Sequence, residues 1–315
     1  MAPFLFSVRL ENCKSFYQWD EHHRNSKVVG LMTVILSLRE VPDIPLEADT
    51  ITPSHFAGKG VKEIEEIPVQ QGNEVLKLKD FFDISGESGP TPDETEILVK
   101  GDLRRVKMIG KGMNGGVIIV EGDTGMYLGA EMIAGRINVK GSVGPWAAAE
   151  MEGGNVQIEG DAGDYLCAGY RGTTDGMRGG RVYVAGNVGR EMAAHMRKGF
   201  VAVKGNVGSQ SAIRMMGGTI IVVGDMAERV GVQATKGMVI CLGKMDSLFP
   251  TYKFSGSSER EFINYYLRYL KKYRPDFISE DIDTSEKWVK YLGDFAEASP
   301  GEEIFVRASK NQHLI

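Results

Sequence analysis

The sequence has few cysteines and histidines, no excess of basic residues and no long apolar run. Its three cysteines, Cys13, Cys167 and Cys241, are scattered over 315 residues without a C-x-x-C pair. This excludes a disulfide framework, and also a zinc ribbon or iron–sulfur cluster held by this chain alone, because each needs about four clustered ligands. A net charge of −5 offers no basic face for nucleic acid. No signal peptide is recognised and residues 28–38 are too few to span a bilayer, so a reducing cytoplasm is the expected location.

Glycine is the residue in excess, and its spacing reveals an internal repeat. The 40 glycines are about 13% of the chain, against about 7% in an average protein. One series closes successive strand-like runs, at Gly101, Gly122, Gly141, Gly160, Gly186, Gly205, Gly224 and Gly243. Its spacings are 21, 19, 19, 26, 19, 19 and 19 residues, and a second series from Gly116 to Gly237 shares the 19-residue period and the longer interval. This double series indicates about seven repeated turns.

Side chains keep the same period. Four and two positions before each closing glycine, almost every residue is Ile or Val, whereas the residue between them varies. This alternation predicts strands with one face in the core. A methionine column stands three positions before the second glycine, at Met113, Met132, Met151, Met177, Met196 and Met215, and Ala234 replaces it in the last turn. We interpret six methionines at one inward position as core packing rather than as soft-metal ligands.

The repeat predicts a mainly β fold. A 19-residue unit is too short for paired helices, and it fits a right-handed parallel β-helix, a solenoid whose turns stack about 4.8 Å apart. We expect the solenoid over residues 97–243, after a small α/β lead-in over residues 32–96. Residues 244–315 are expected to form a C-terminal helical cap and tail. Residues 1–31 do not share the repeat, and we interpret them as an extension that is poorly ordered or that comes from a misassigned start.

The closing glycines are predicted to lie at the corners of the solenoid and to supply the positive φ that β-branched residues avoid. Polar residues such as Asp123, Asp161 and Asp225 follow these glycines directly. Side chains of this type stabilise turns, and we interpret these residues in that way rather than as catalytic carboxylates.

The flanking segments predict helices. Residues 56–67 indicate a short helix in the lead-in, and residues 71–73 a turn between two strands. After the repeats, Ser258 and Glu261 match a capping box, and Pro275 ends a helix with a wide aromatic face. The outward-facing positions of the strands become apolar in the last repeats, at Ile221, Val223, Ile240 and Leu242, and we call these residues the late apolar column. We predict that this helix covers the column and caps the open end of the solenoid, with a partner subunit as the alternative cover.

No catalytic, cofactor-binding or metal-binding residue can be assigned on this chain. Residues 110–115 match G-x-G-x-x-G, but a strand-like run follows them, whereas a dinucleotide fingerprint precedes a helix. Some β-solenoids are zinc carbonic anhydrases with three converging histidines, but His195 is the only histidine within the repeats. No Ser/His/Asp set, activated cysteine or pair of buried carboxylates is recognised.

The turn between Gly160 and Gly186 carries seven extra residues. Insertions in solenoids become loops on one face, which is often the binding face. Within this loop, Tyr170, Arg171 and Asp175 are the predicted partner contacts, because Tyr and Arg are frequent at interfaces. The alternative is a solvated loop without a partner.

With the repeat established, a family resemblance emerges. Residues 115–125, 153–163 and 179–189 resemble the G-x-G-x-G repeat that occurs in the C-terminal domain of the large subunit of glutamate synthase and in the C subunit of formylmethanofuran dehydrogenase. The second match is more extensive, because it includes the lead-in and the tail. The flanking matches lie at residues 44–49, 51–53, 56–58, 72–73, 78, 80–82, 301–307 and 311–314. The resemblance covers residues 32–315, and residues 1–31 depart from it.

The resemblance implies a noncatalytic scaffold subunit in a cytoplasmic complex of methanogenic archaea, which reduces CO2 and condenses it with methanofuran. It also implies the partners: a tungsten or molybdenum pterin subunit, an amidohydrolase-like subunit with zinc, and ferredoxin-like subunits with iron–sulfur clusters. No cofactor is implied on this chain. Two alternatives remain open: the corresponding subunit of a formyltransferase/hydrolase complex, which lacks tungsten and molybdenum, and an autonomous solenoid enzyme.

Overall fold

The structure, a computed structural model, describes residues 30–278, 283 and 285–315. Within these residues the chain is mainly β, which confirms the predicted class. The strands of the repeat and its neighbours are β1 (Met32–Leu38), β2 (Leu46–Glu47), β3 (Pro68–Gln71), β4 (Glu74–Lys77), β5 (Phe82–Gly86), β6 (Thr95–Lys100), β7 (Val106–Lys107), β8 (Asn114–Glu121), β9 (Ala134–Val139), β10 (Asn155–Ile158), β11 (Arg181–Val184), β12 (Phe200–Val203), β13 (Met216–Val222), β14 (Lys236–Cys241), β15 (Lys253–Ser258), β16 (Trp288–Gly293) and β17 (Glu302–Arg307). The helices are α1 (Pro53–Phe56), α2 (Val61–Glu65), α3 (Leu78–Phe81) and α4 (Glu261–Tyr273). Among the described residues, none of these helices combines the length and the apolar content that crossing a lipid bilayer requires.

The repeats build one large sheet. Strand β6 and strands β8 to β14 pair in parallel, each with the strand one repeat away, so that Ile97 lies opposite Ile118 and Val156 opposite Val182. The predicted apolar columns therefore stack residue on residue, and all their members are buried. The sheet as a whole is mixed, because β5, β15 and β16 pair antiparallel at its two ends. The right-handed coil predicted from the repeat stays a prediction.

A second ladder joins the same repeats. It consists of parallel bridges between residues one repeat apart, which begin at Leu103 and Thr124 and end at Met226 and Met245. These residues are buried, so each repeat contributes side chains to the core both from its strand and from this second ladder. The repeats therefore contact each other through hydrogen bonds at two separate places along each turn.

A third set of hydrogen bonds runs through stretches with alternating positive φ. In one turn Tyr127, Gly129 and Glu131 have φ values of 64°, 59° and 59°. Their N–H groups point alternately to the following and preceding turns: Tyr127 donates to Pro145 O at 3.0 Å and Gly129 to Ile109 O at 2.9 Å. A positive φ costs an L-residue about 1 kcal/mol. The bonds between turns satisfy buried backbone groups and offset that cost.

The polar residues after the closing glycines bridge neighbouring turns through hydrogen bonds to the backbone. Asp123 Oδ1 accepts a hydrogen bond from the Ser142 N–H at 2.8 Å, and the Ser142 hydroxyl accepts one from the Asp161 N–H at 3.0 Å. The same contact continues through Asp161, Asn187, Asn206 and Asp225 to the N–H of Lys244. A short side chain with an acceptor oxygen is required here because it must reach the backbone of the next turn.

The closing glycines are needed for close approach, and the prediction that they supply positive φ is wrong for most of them. Only Gly101 and Gly122 have positive φ, at 119° and 138°. From Gly122 to Gly243, a Cβ on each closing glycine would lie 2.2–2.6 Å from the backbone of the closing glycine one turn earlier. No side chain fits at such a distance, so the stacking of the turns itself excludes every residue but glycine.

The methionine column and the second glycine series form one packing arrangement. All six methionines are fully buried, which confirms their role in the core. A Cβ on the second glycine of each following turn would lie 2.6–2.8 Å from the methyl carbon of the methionine below it, as at Gly135 above Met113. The flexible thioether thus fills the space that a missing side chain leaves.

The lead-in extends the large sheet. Strand β1 pairs in parallel with β6, and β5 pairs antiparallel with β1 at the edge. The predicted turn at residues 71–73 is confirmed, since it joins β3 and β4. The single helix predicted at 56–67 is instead the pair α1 and α2, separated by a segment with Gly58 and Gly60. The predicted extension falls, except for residues 30 and 31, outside the described residues.

The C-terminal segment covers the repeats in two ways. Helix α4 packs on the outward side of β11 to β14, where Phe200 stacks on Tyr266 with centroids 6.3 Å apart, so the predicted cover of the late apolar column is confirmed. The open end is capped by β17, which pairs in parallel with β14, and not by the helix. The predicted capping box is also wrong, because Ser258 ends β15 and α4 begins after Arg260 without a side-chain cap.

A buried acidic cluster lies under this cap. Glu302 is fully buried and Asp294 is 1% exposed. The Tyr252 hydroxyl lies against the Glu302 carboxyl group and 2.8 Å from the Gly231 carbonyl oxygen. Burial is the main cause that raises the pKa of Glu302 to about 8, with a smaller contribution from Asp294 and an opposing one from Tyr252. The Tyr252 hydroxyl is the donor in its contact with Glu302, which is why it favours the charged carboxylate.

We predict that Gly205→Ala destabilises the protein by about 3 kcal/mol, because the added Cβ would lie 2.4 Å from the Gly186 carbonyl oxygen. The control is Gly172→Ala, which has open space around it but a φ of 92° and should cost about 1 kcal/mol. Urea unfolding of the two variants measures both values. A smaller loss in Gly205→Ala than in Gly172→Ala would contradict the close-approach explanation.

We predict that Glu302→Gln removes a pH-dependent loss of stability. The folded-state pKa of about 8 lies above the ordinary value of 4.5, so the stabilising proton is present below pH 4.5 and is lost as the pH rises through 8. The melting temperature of Glu302→Gln relative to the wild type should therefore increase from pH 5 to pH 8 and then level off. The exposed Glu259→Gln controls for the loss of one negative charge. A constant difference across this range would refute the prediction.

Candidate functional site

The seven-residue insertion begins and ends beside two adjacent residues of the following turn. The Gly169 N–H donates to Ala194 O at 3.1 Å, and the Gly176 N–H donates to His195 O at 2.9 Å. Both bonds belong to the ladder that joins this turn to the following one. The residues between them therefore form a loop outside the ladder, and the hydrogen bonds of the ladder continue without interruption.

The loop folds back over the two preceding turns. The Tyr170 hydroxyl donates to Glu131 Oε1 at 2.9 Å, and the Tyr170 N–H donates to Glu150 Oε1 at 3.1 Å. The Thr173 hydroxyl donates to the same Glu150 oxygen at 2.9 Å. Burial raises the pKa of Tyr170, and its bond to Glu131 raises it further, so the phenol stays protonated as a donor. Two carboxylates from the repeats thus anchor the loop.

Beneath the loop, three aromatic residues occupy the same position in consecutive turns. We call Tyr127, Trp146 and Tyr165 the aromatic row. Each is partly exposed and has a positive φ, between 58° and 65°. The Trp146 ring stacks on Tyr127 with centroids 5.6 Å apart and on Tyr165 with centroids 4.3 Å apart. An open depression of about 270 Å³, lined in part by Met126 and Pro145, adjoins the row.

Arg171 lies on this row. Its guanidinium carbon is 5.9 Å from the centre of the Trp146 ring and 6.0 Å from that of Tyr165, within the range of a cation–π contact. The side chain is exposed, and none of the carboxylates in the described part of the chain forms an ion pair with it. Nearby Arg178 and Arg190, in contrast, pair with Glu152 and Asp164 at 2.7 and 3.3 Å.

The three predicted contact residues therefore have different surroundings. Tyr170 is half-buried and holds the loop in place. Asp175 forms an ion pair with Arg197 of the following turn, so it also anchors the loop. Arg171 is the one of these three residues whose charged group has no ion-pair partner among the described residues. Contact with a partner stays a prediction, and the geometry supports it most directly for Arg171.

The aromatic row was not recognised in the sequence, although it keeps the 19-residue spacing. The equivalent residues elsewhere are Met108, Glu191, Gln210 and Arg229, so the column changes character along the repeats. A comparison of every position one repeat apart, beyond the apolar columns, would have revealed three consecutive aromatic residues.

The histidine and cysteine side chains of the described residues differ in their surroundings. Burial, with Arg214 and Arg197 nearby, lowers the pKa of His195. His55 hydrogen-bonds to the Thr52 hydroxyl at 2.7 Å, far along the chain from the repeats. Within the described ranges, no three or more His, Cys, Asp or Glu side chains are grouped to hold a metal ion. Cys167 and Cys241 are buried thiols, and burial raises the pKa of Cys241 to about 12.

Comparison with known proteins identifies relatives. The chain is 47% identical over 97 residues to the C subunit of the tungsten-containing formylmethanofuran dehydrogenase 2 of Methanothermobacter wolfeii, which is 31% of this chain and 36% of that protein. It is 45% identical over 95 residues to the C subunit of the molybdenum-containing formylmethanofuran dehydrogenase 1 of Methanosarcina barkeri, covering 30% and 32% of the two chains. The resemblance predicted from the repeat and the flanks is thereby confirmed. The aligned part spans about a third of the length of these relatives.

A solved structure shares the fold over a longer stretch. It is a chain in the crystal structure of the formyltransferase/hydrolase complex FhcABCD from Methylorubrum extorquens, determined in complex with methylofuran. The TM-score is 0.77 at 28% sequence identity, and the match covers 86% of this chain and 98% of that chain. No model of a protein family matches the sequence.

We predict that Glu150→Ala releases the loop without unfolding the repeats. The substitution removes two hydrogen bonds to a carboxylate, each contributing about 1–2 kcal/mol, so local opening should become at least about tenfold more frequent. Limited trypsin digestion followed by mass spectrometry measures the cleavage rate after Arg171. The control is Glu152→Ala, which removes a surface ion pair with Arg178 outside the loop. Equal cleavage rates in both variants would show that Glu150 does not anchor the loop.

Proposed function

We propose that this chain is a noncatalytic scaffold subunit of a formylmethanofuran dehydrogenase complex. The observation that carries the proposal is the 45–47% identity to the C subunits of tungsten- and molybdenum-containing forms of that enzyme. The match to 98% of a chain from the multi-subunit FhcABCD complex supports a role within an assembly. The complex would reduce CO2 and form formylmethanofuran in the cytoplasm, with the chemistry on other subunits.

The scaffold is, in this proposal, a right-handed parallel β-helix of about seven turns over residues 97–243. The parallel register of β6 and β8 to β14 and the second ladder from Leu103 to Met245 support it, because a coil is the simplest path that joins both ladders in every repeat. The lead-in at residues 32–96 and the segment at 244–315 would close its two ends. Such a rod keeps a fixed distance between the partners bound along it.

The partners proposed are an amidohydrolase-like subunit with zinc, a tungsten or molybdenum pterin subunit, and ferredoxin-like subunits with iron–sulfur clusters. The names of the relatives support the tungsten or molybdenum content of the complex. This chain would contribute surfaces for docking and no ligand to any of these groups.

A second candidate is a subunit of a formyltransferase/hydrolase complex. The structural match to the Methylorubrum extorquens chain favours it, although at a lower identity of 28%. The two candidates differ in metal content, so tungsten or molybdenum that copurifies with the complex supports the dehydrogenase, and its absence from an intact complex supports the formyltransferase/hydrolase. An autonomous solenoid enzyme remains the third candidate, and zinc bound stoichiometrically to the isolated chain would favour it.

We predict that the complex purified through a tag on this chain contains catalytic subunits and forms formylmethanofuran, whereas the chain expressed alone has no turnover. Native mass spectrometry identifies the subunits and their stoichiometry, elemental analysis measures the metals, and an assay with methanofuran measures the activity. Turnover by the purified single chain would refute a noncatalytic role. Recovery of the chain without partners from its native source would refute the scaffold role.

A further inference from the structure

Two aromatic surfaces lie on the outside of the repeats, and the chain covers only one of them. Around Tyr183 and Phe200, helix α4 buries the aromatic rings almost completely. The aromatic row of Tyr127, Trp146 and Tyr165 is covered only by the loop, and all three rings stay partly exposed. A partly exposed stack of three aromatic rings is unusual on a solvated surface and is typical of an interface.

Arg171 is held in a defined position on this surface. It rests on two rings, and its loop is anchored at both ends, through Glu150 near its start and through the ion pair of Asp175 with Arg197 near its end. Little side-chain and loop entropy would be lost if a partner bound here, because the groups are already ordered. The five N–H donors of the guanidinium pair with no carboxylate of the described residues.

We infer that Arg171 and the aromatic row form a docking surface for another subunit, which presents a carboxylate next to an apolar side chain. This inference rests on the proposed function and names the surface through which the scaffold acts. A stacked guanidinium offers its edge to a carboxylate in a two-bond fork. The apolar neighbour packs on the exposed part of the row and into the depression beside Met126 and Pro145.

The charges around the row select this occupant over a polyanion. Glu131 and Glu150 lie beside the rings and are held there by the loop. A nucleic acid or another chain of closely spaced phosphates would meet these two carboxylates, whereas a single carboxylate on Arg171 avoids them. The net charge of −5 acts in the same direction.

The test compares charge reversal at two exposed arginines in the tagged, native complex. Arg171→Glu should weaken the retention of a partner subunit at least about 30-fold, since an arginine at the centre of an interface contributes about 2 kcal/mol or more. Arg171→Lys keeps the charge without the fork and should lie between this variant and the wild type. The matched control is Arg229→Glu, which is exposed and occupies the position of the aromatic row in the last turn, with a φ of 65°.

Retention is measured by native mass spectrometry across a salt titration, with the melting temperature of each isolated variant as a folding check. Equal retention for Arg171→Glu and Arg229→Glu, in a complex that the wild type assembles, would overturn the inference and leave the scaffold role intact. A wild-type chain that retains no partner would overturn both proposals together.

A photo-crosslinking residue in place of Thr174, an exposed loop position that leaves Arg171 intact, identifies what occupies the surface. Capture of a segment of another subunit that contains Asp or Glu beside an apolar residue supports the inference. Crosslinks confined to this chain, to a second copy of it or to a segment without acidic residues would overturn it.

Discussion

The structure depends on the hydrogen-bonded stacking of turns of equal length. Each turn bonds to its neighbours through the large sheet, through the second ladder and through the stretch of alternating positive φ. Any residue added within these stretches would shift every bond that follows it. The seven extra residues are therefore accommodated between Gly169 and Gly176. These two glycines bond to adjacent residues of the following turn, so the residues between them lie outside the ladder. The site of the insertion is a consequence of the stacking.

The same stacking determines which side chains can occupy equivalent positions in successive turns. Equivalent residues lie about 4.8 Å apart, so amide and hydroxyl groups can bridge turns and aromatic rings can stack. Like charges at that distance repel each other, and Glu131 and Glu150 occupy equivalent positions in neighbouring turns. The loop counters this repulsion, because Tyr170 and Thr173 donate hydrogen bonds to these carboxylates. The anchoring that positions Arg171 thus also stabilises the turns beneath it.

The 19-residue period made much of the fold predictable. Most errors of prediction concern contacts between residues that have no equivalent in the other turns. The apolar and methionine columns could be placed in the core because each member repeats at one inward position. The reason for the closing glycines could not be inferred, since a positive φ and a close approach select the same residue. The pairing of β17 with β14 joins segments on either side of α4, and the bond from Tyr170 to Glu131 spans 39 residues. Neither contact leaves a repeated pattern in the sequence.

The two aromatic surfaces differ in the way that distinguishes a fold interior from a docking surface. Under α4, Tyr183 and Phe200 are joined by Ile221 and Ile240, and the rings of this contact are almost completely buried. Such a surface requires a permanent cover, which the chain provides itself. The aromatic row is bordered by carboxylates and topped by a charged guanidinium, so it tolerates water until a partner binds. The proposed scaffold role would require both kinds of surface, because the chain would have to fold before it assembles, and the polar border of the row would suit it to a separate subunit.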